Sequence, residues 1–401
     1  MNIILFDDIG RINLLPLCYT RPCGNLRVGI VTLDEKWQHL ASAKTSFLTE
    51  DYLSQKFTAT YSSDNYYING RVIANEDLVT KIQNLKEGQG LTGENENEII
   101  AFRSSKSYTK KIEFLDEIEF LKCDCTYSIL NNSYDIFTLN DQEIRNDFKL
   151  LTKNRKSKSI SKTNTLIGDN IFVEEGAYVE ASTLNSNEGP IYIGKDAQIL
   201  EGNLIRGPLA LCNNATIKMG AKIYGATTIG PHCKVGGEIS NVVFQSYSNK
   251  GHDGFMGNSV VGEWCNLGAD TNCSNLKNNY APVKLWNYET KRFVNTGLQF
   301  CGLIMGDHSK CGINTMFNTG TVVGVSANIY GAAFPRNFIP SFTWGGATGF
   351  STYAQGKAFE TAKKVMERRS IELNDIDKDI LKHIFEASSE HRFWENKPMN
   401  V

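Results

Sequence analysis

With 401 residues, 41% hydrophobic and 21% charged, and a formal charge of −2, the chain has the make-up of a globular protein of two or more domains. This near-neutral balance points to no partner, whereas a nucleic-acid binder would usually show a basic stripe and a high isoelectric point, and no run of about 18 apolar residues exists to cross a membrane. The first eight residues turn acidic after four apolar ones and carry no basic leader, so the expected location is cytoplasmic.

In chain order, residues 3–6 predict a short strand, residues 33–43 a helix, residues 66–68 and 72–74 two strands, and residues 75–85 a second helix. Strands alternating with helices suggest an α/β domain over residues 1–155. Residues 141–151 form an amphipathic helix that runs into Lys153, Arg155, Lys156, Lys158 and Lys162. Such a charge run is first a solvated linker, with a phosphate-binding surface as the alternative.

From residue 165 aliphatic side chains recur every sixth position: Ile167, Val173 and Val179, then Ile193, Ile199, Ile205, Leu211, Ile217, Ile223, Ile229 and Val235. A period of six belongs to neither an α-helix nor an isolated strand, and hexapeptide β-helix coils have it. The pattern resumes at Met256, Val261 and Leu267, and again at Met305, Cys311, Phe317, Val323 and Ile329. A left-handed parallel β-helix is therefore expected over residues 156–345. Residues 240–255 and 275–298 interrupt it, and insertions in a solenoid are where binding surfaces tend to lie. A helical tail over 346–401, with helices at 354–369 and 375–389, is expected to cap the open end. The ten cysteines show no paired spacing and Cys123 and Cys125 lack the two-residue gap of zinc or redox motifs, so reduced thiols are expected, several packed in the coils.

The run Asn249-Lys250-Gly251-His252, with Met256-Gly257, Val261-Gly262 and Asn266-Leu267-Gly268-Ala269-Asp270-Thr271, resembles the acetyltransferase domain of the GlmU family, the bifunctional glucosamine-1-phosphate N-acetyltransferase and N-acetylglucosamine-1-phosphate uridyltransferase. The step from Met256 to Val261 follows that family's rhythm, and the likeness covers about residues 160–335. The stretch from Leu14-Leu15-Pro16-Leu17 to Thr20-Arg21-Pro22 is similar to the Pro-Leu motif of sugar nucleotidyltransferases. There the sequence departs from the pattern: Phe6-Asp7-Asp8-Ile9-Gly10-Arg11 replaces the phosphate-cradling Gly-rich loop, and Arg71 stands where a magnesium carboxylate would lie. As a whole the chain is similar to divergent GlmU-like proteins with a short N-terminal nucleotidyltransferase-like domain.

Acetyl transfer to a sugar amine needs a base that titrates near neutrality, because an ammonium cannot attack a thioester. His252 is the candidate, with Asp253 or Glu263 to orient it and backbone donors near Gly251 or Gly268 for the oxyanion. The resemblance implies acetyl-CoA as co-substrate, Asn266, Lys222, Lys277 and Lys284 as sugar-phosphate contacts, and Ala269 and Asn275 as acetyl-CoA contacts. Ser240 and Phe255 replace a substrate-binding lysine and tyrosine. In the first domain Asp7, Asp8, Arg11, Arg21 and Arg27 form a charged cluster after the first strand, either a nucleotide or sugar-phosphate site or a set of internal ion pairs. Nucleotidyl transfer there would require Mg²⁺ on carboxylates such as Asp7, Asp8 or Asp51.

The expected function is acetyl transfer to glucosamine 1-phosphate, followed by uridylyl transfer from UTP to give UDP-N-acetylglucosamine. The alternatives are a sugar-1-phosphate nucleotidyltransferase, such as a thymidylyltransferase, whose β-helix is a regulatory trimerisation platform, and a non-enzymatic scaffold. A metal hydratase on the same coil would need clustered histidines, and His232, His252 and His308 are far apart in sequence. A homotrimer is expected by resemblance, with the acetyl site between subunits.

Overall fold

The computed structural model describes residues 1–95, 97–109 and 117–395. The chain divides into two compact units, Met1–Leu26 with Val31–Asn132, and Arg27–Ile30 with Ser133–Val401.

The first unit is built on a six-stranded mixed sheet in the order Lys44–Leu48, Asn2–Phe6, Asn65–Asn69, Ile99–Ser104, Gln89–Thr92, Glu119–Lys122. Helix α1 (Leu33–Ala41) starts where Glu35 reaches back to the Thr32 amide at 2.8 Å, and α2 (Glu76–Gln83) where the Asn75 side chain accepts the Leu78 amide at 2.8 Å. Trp37, Leu78, Val79 and Ile82 from these helices close over Ile3, Leu5 and Ile68 of the sheet. The strands at Tyr66 and Val72 do not pair with each other. Asn65–Asn69 runs parallel to Asn2–Phe6, and Val72–Ile73 pairs instead with Ser128–Ile129. The Gly70 amide is held by the Phe6 carbonyl at 2.8 Å, so the chain leaves the sheet at that point rather than folding back.

The second unit contains α3 (Asp135–Thr138) and α4 (Asn140–Thr152), and then a parallel β-solenoid. One flank is a ten-stranded sheet that climbs coil by coil, from Tyr178–Val179 through Gln198–Ile199, Thr216–Ile217, Lys234–Val235, Asn249–Lys250, Asn266–Leu267, Lys310–Cys311 and Asn328–Ile329 to Thr343–Gly346. All these neighbours pair in parallel, and antiparallel Gly349–Thr352 occupies the last edge. Buried Val173, Val179, Ile193, Ile199, Ile205, Leu211, Ile217, Ile223, Ile229 and Val235 form one column of core, continued by Met256, Val261, Leu267, Met305, Cys311, Phe317, Val323 and Ile329. The six-residue period is the spacing that turns one side chain per face inward. Ile167 is the exception at 37% exposure: it pairs with Asn185, in register with outward Arg206, and Leu166 takes the inward position of that strand opposite buried Leu184.

The two interruptions have different structures. Residues 240–255 do not leave the solenoid: Glu238–Phe244 pairs along its length with Phe255–Val261, and Asn249–Lys250 takes its place in the flank. This coil is simply short, with Lys234 opposite Asn249 where the preceding coil sets Thr216 opposite Lys234. Residues 275–298 do leave the coil and contain an antiparallel ribbon, Lys284–Asn287 against Arg292–Asn295.

Helices α5 (Gln355–Glu367) and α6 (Asp375–Ala387) bury Ala358, Ala362 and Met366, and Ile380, Leu381 and Ile384. The expected end cap is only partly observed, since Gly349–Thr352 covers the edge strand and the end of α5 lies against the ten-stranded flank. Among the described residues no helix is long and apolar enough to cross a membrane.

Candidate functional site

His252 sits immediately after the flank strand Asn249–Lys250, exposed, on the wall of a cavity of about 520 Å³. The coil contributes Lys218, Lys234, Asn249, Gly251, Asn266 and Lys310 to this cavity, and the helical tail contributes Thr361, Val365, Arg368 and Arg369. The Arg369 guanidinium ties the tail to the coil by donating to the His232 carbonyl at 3.2 Å and the Asn249 side-chain oxygen at 3.3 Å.

Among the described residues no carboxylate lines this cavity, whereas five lysines and arginines do. Burial, then Arg369, Lys218 and Arg368, holds the Lys234 ammonium below its ordinary pKa, and burial pushes Lys310 down to about 8. Such a wall is electrostatically unsatisfied until an anion enters, and phosphate is the anion for which clustered cations are best suited. Replacing Lys234 by methionine is expected to weaken phosphate-bearing ligands about tenfold, the scale of one hydrogen bond to a charged group, and to flatten the salt dependence of binding. Isothermal titration of coenzyme A at two salt concentrations measures both.

Beside the cavity runs a column of rings, His232 on Tyr247 at 4.6 Å, Tyr247 on Trp264 at 4.3 Å, and Trp264 on His308 at 6.3 Å. All four residues have left-handed backbone, φ 60°, 53°, 60° and 61°, at one corner of successive coils. That conformation costs about 1–2 kcal/mol for a residue with a side chain, and stacking of the rings offsets part of it. His232 and His308 thus belong to a structural column with two rings between them. Among the described residues no group of three or more His, Cys, Asp or Glu side chains could hold a metal.

The cavity gathers only part of the residue set expected from the sequence. His252 and Asn266 line it, and Lys222, Lys277, Lys284, Ala269 and Asn275 do not. Lys222 lies 3.7 Å from Glu238 and lines a separate groove, while Lys277 donates to the Pro282 carbonyl at 3.1 Å. Lys284 is exposed on the antiparallel ribbon. The Asn275 amide group donates to the Asn258 side chain at 2.8 Å, and the Ala269 carbonyl accepts the Asn314 amide. Neither expected orienting acid reaches the imidazole: Glu263 accepts from the Ser246 hydroxyl, and no hydrogen bond joins Asp253 to His252. Of the two expected backbone donors, the Gly268 amide is taken by the Cys311 carbonyl at 3.1 Å. Gly251 lines the cavity. Arg155 and Lys158 of the basic run pair with Glu174 and Glu175, each at 2.5 Å, as a solvated linker would.

Sequence reasoning missed Lys218, Lys234, Lys310, Arg368 and Arg369. The signal was present for the first three, which sit at or next to outward positions of the flank, but only the stacked coil shows that residues from distant repeats share one wall.

In the first unit Asp8 accepts both Arg71 Nε at 2.7 Å and Nη2 at 2.6 Å, as well as the Asn69 amide group at 2.8 Å and the Gly10 amide at 3.0 Å. Asp7 accepts the Cys23 amide at 2.9 Å and the Thr49 hydroxyl at 2.6 Å, with Arg11 at 3.4 Å. Burial raises the Asp7 pKa against the pull of Arg11. Arg11 also donates to the Cys18 carbonyl and to the Tyr52 hydroxyl, and Arg21 is buried. Arg27 separates from this cluster: it belongs to the second unit, where its amide and carbonyl both pair with the Gln245 side chain. With two protein donors on each of its oxygens, the Asp8 carboxylate does not fit a Mg²⁺ ion, which needs free oxygen ligands.

Comparison with known proteins matches residues 3–156 to the sugar nucleotidyl transferase family. The chain is 27% identical over 205 residues to the uncharacterized acetyltransferase YaiX of Escherichia coli, an alignment covering 51% of this chain and 80% of that protein. It is 31% identical over 118 residues to the bifunctional protein GlmU of Methanocaldococcus jannaschii, covering 29% of this chain and 26% of that one. It is likewise 31% identical over 148 residues to a bifunctional sugar-1-phosphate nucleotidylyltransferase/acetyltransferase of Sulfurisphaera tokodaii, covering 36% of each. A solved Arabidopsis UDP-N-acetylglucosamine acyltransferase aligns with 61% of this chain and 86% of its own at 12% identity, with a TM-score of 0.22 that is too low to carry weight.

Proposed function

We propose, for a transferase whose family match and relatives support a divergent GlmU-like family, that the solenoid cavity transfers an acetyl group from acetyl-CoA to the amine of an amino-sugar 1-phosphate, with glucosamine 1-phosphate as the first candidate. The observation that carries this reading is the placement of His252 on a wall of five cations and no carboxylate. The cations take up phosphate, of which both the sugar phosphate and coenzyme A have supply, and Asn266 offers a neutral amide to sugar hydroxyls. His252 removes the proton from the amine as its nitrogen attacks the thioester carbonyl. A C–N bond forms, the C–S bond breaks, and the coenzyme A thiolate leaves with a proton returned from the imidazolium.

Incubation with acetyl-CoA and glucosamine 1-phosphate is the test. Free thiol should appear only when the amino sugar is present, and glucosamine without its phosphate should be a poorer acceptor by about tenfold or more, because the charged contacts are lost. Thiol release at the same rate with no amine would contradict acetyl transfer to a sugar.

A second reading, sugar-1-phosphate nucleotidyl transfer, is favoured by the family match over residues 3–156. Pyrophosphate release from UTP or dTTP with a panel of sugar 1-phosphates separates it from the first. The engagement of Asp8 by Arg71, Asn69 and Gly10 weighs against a metal held on that carboxylate. Assembly as a homotrimer is part of the same proposal. The exposed side chains of Ile167, Leu204 and Tyr224 on one solenoid face supply apolar surface for it.

A further inference from the structure

Inside the ten-stranded flank, the second residue of each coil points into the core. These residues are Val179, Ile199, Ile217 and Val235 on one side of the short coil, and Leu267, Cys311 and Ile329 on the other. In the short coil the same position is Lys250, fully buried. An ammonium among hydrocarbons must find acceptors, and this one takes them from its own outgoing turn: Nζ donates to the His252 carbonyl at 2.6 Å and the Asp253 carbonyl at 2.9 Å.

The backbone ladder changes at the same place. On neighbouring coils the amide that follows the inward residue donates to the inward carbonyl one coil on. Leu200 does so to Ile217 at 3.1 Å, Lys218 to Val235 at 2.7 Å, Gly236 to Lys250 at 2.7 Å, Gly268 to Cys311 at 3.1 Å and Gly312 to Ile329 at 2.8 Å. The equivalent rung from Gly251 to Leu267 is not made, and the strand pairing there shrinks to Asn249 with Asn266. Gly251 therefore lines the cavity with an amide that has no acceptor among the described residues.

We infer that Lys250 is a positioning residue for the transfer: from inside the coil it clamps the carbonyls of His252 and Asp253, fixes the imidazole on the cavity wall, and releases the Gly251 amide to donate to the thioester oxygen as negative charge develops on it. This rests on the reading of His252 as the base. It is a different device from a carboxylate that orients a histidine, since the clamp grips the backbone of the turn and not the ring. Burial pushes the Lys250 pKa down to about 8, against the pull of Asp253, Cys311 and Asp270, so the solenoid carries a polar cost at this coil that an aliphatic residue would avoid. A cost retained beside the candidate base is what a functional role explains.

The test is Lys250→Met in the full chain, with Leu267→Met, the inward neighbour one coil on, as control. Lys250→Met is expected to lower kcat by about 10- to 100-fold, the range for a slightly misplaced catalytic group, with KM within about twofold. Its thermal midpoint should be no lower than that of the parent. The imidazole resonance of His252, assigned by its loss in His252→Ala, should move in Lys250→Met and stay in place in Leu267→Met. Full kcat in Lys250→Met, or an unmoved imidazole signal, overturns the clamp. Should Lys250→Met fail to fold, exchange in the unmodified protein decides: the Gly251 amide should exchange at least about 100-fold faster than those of Gly236 and Gly268, as an unbonded amide does, and equal protection overturns the proposal. The two readings fail separately. An active His252→Ala removes the base itself, whereas an active Lys250→Met beside an inactive His252→Ala removes only the clamp.

Discussion

Replacing His252 by alanine is expected to lower amino-sugar-dependent thiol release by about 100-fold or more, the usual scale for loss of a general base. Its effect on folding should be small, because the side chain is exposed and makes no hydrogen bond or ion pair among the described residues. The thermal midpoint should therefore stay with that of the parent while the rate collapses, and unfolding curves and initial rates on one preparation measure both. Imidazole added to the alanine variant should restore part of the rate, because the cavity of about 520 Å³ has room for the missing ring. Binding of coenzyme A should survive, since the cations that hold phosphate are untouched. A variant that loses affinity instead of rate would place His252 among the binding groups.

The second large effect is expected in the first unit. Asp8→Asn should destabilise it by about 3 kcal/mol, the lower end of the range for breaking a buried ion pair, because the Asp8 side chain keeps 22% of its exposure and Arg71 only 6%. The loss leaves a guanidinium whose other contacts, the Leu130 carbonyl at 2.9 Å and the Asn131 side chain at 2.8 Å, are neutral. Arg71 has its pKa raised, with burial acting against the charge and the Asp8 contact outweighing it. Urea unfolding of the single variants and of Asp8→Asn combined with Arg71→Met should give a double-mutant coupling of the same sign. Millimolar Mg²⁺ should leave the midpoint unchanged. If Asp8→Asn raised stability and Mg²⁺ stabilised the parent, the carboxylate would be a metal ligand and the ion pair incidental.

The coil was legible in the sequence because its determinant is periodic: one inward aliphatic residue per six, unbroken from Ile193 to Val235, is a one-dimensional signal. Lys250 escaped for the opposite reason. The coil that carries it is short, so the strict period steps past it, and a lysine in a run of Ser, Asn and Gly reads as surface. His252 was found through the residues around it, but as part of a loop, whereas pairing keeps its segment within the solenoid. The cationic wall was not legible. Lys218, Lys234 and Lys310 come from separate coils and Arg369 from a helix, and their proximity is a property of stacking. The lysines expected by resemblance, Lys222, Lys277 and Lys284, lie outside this cavity. In the first unit, the charged cluster could have been a ligand site or a set of ion pairs. Only the two-pronged contact between Arg71 and Asp8, 63 residues apart in sequence, distinguishes them.

A structure of the chain with coenzyme A bound tests the central claim most directly. The phosphates are expected against Lys234, Lys310 and Arg369 and the sulfur beside His252, within reach of the Gly251 amide. Coenzyme A seated on another face of the solenoid, with this cavity unchanged, would contradict it.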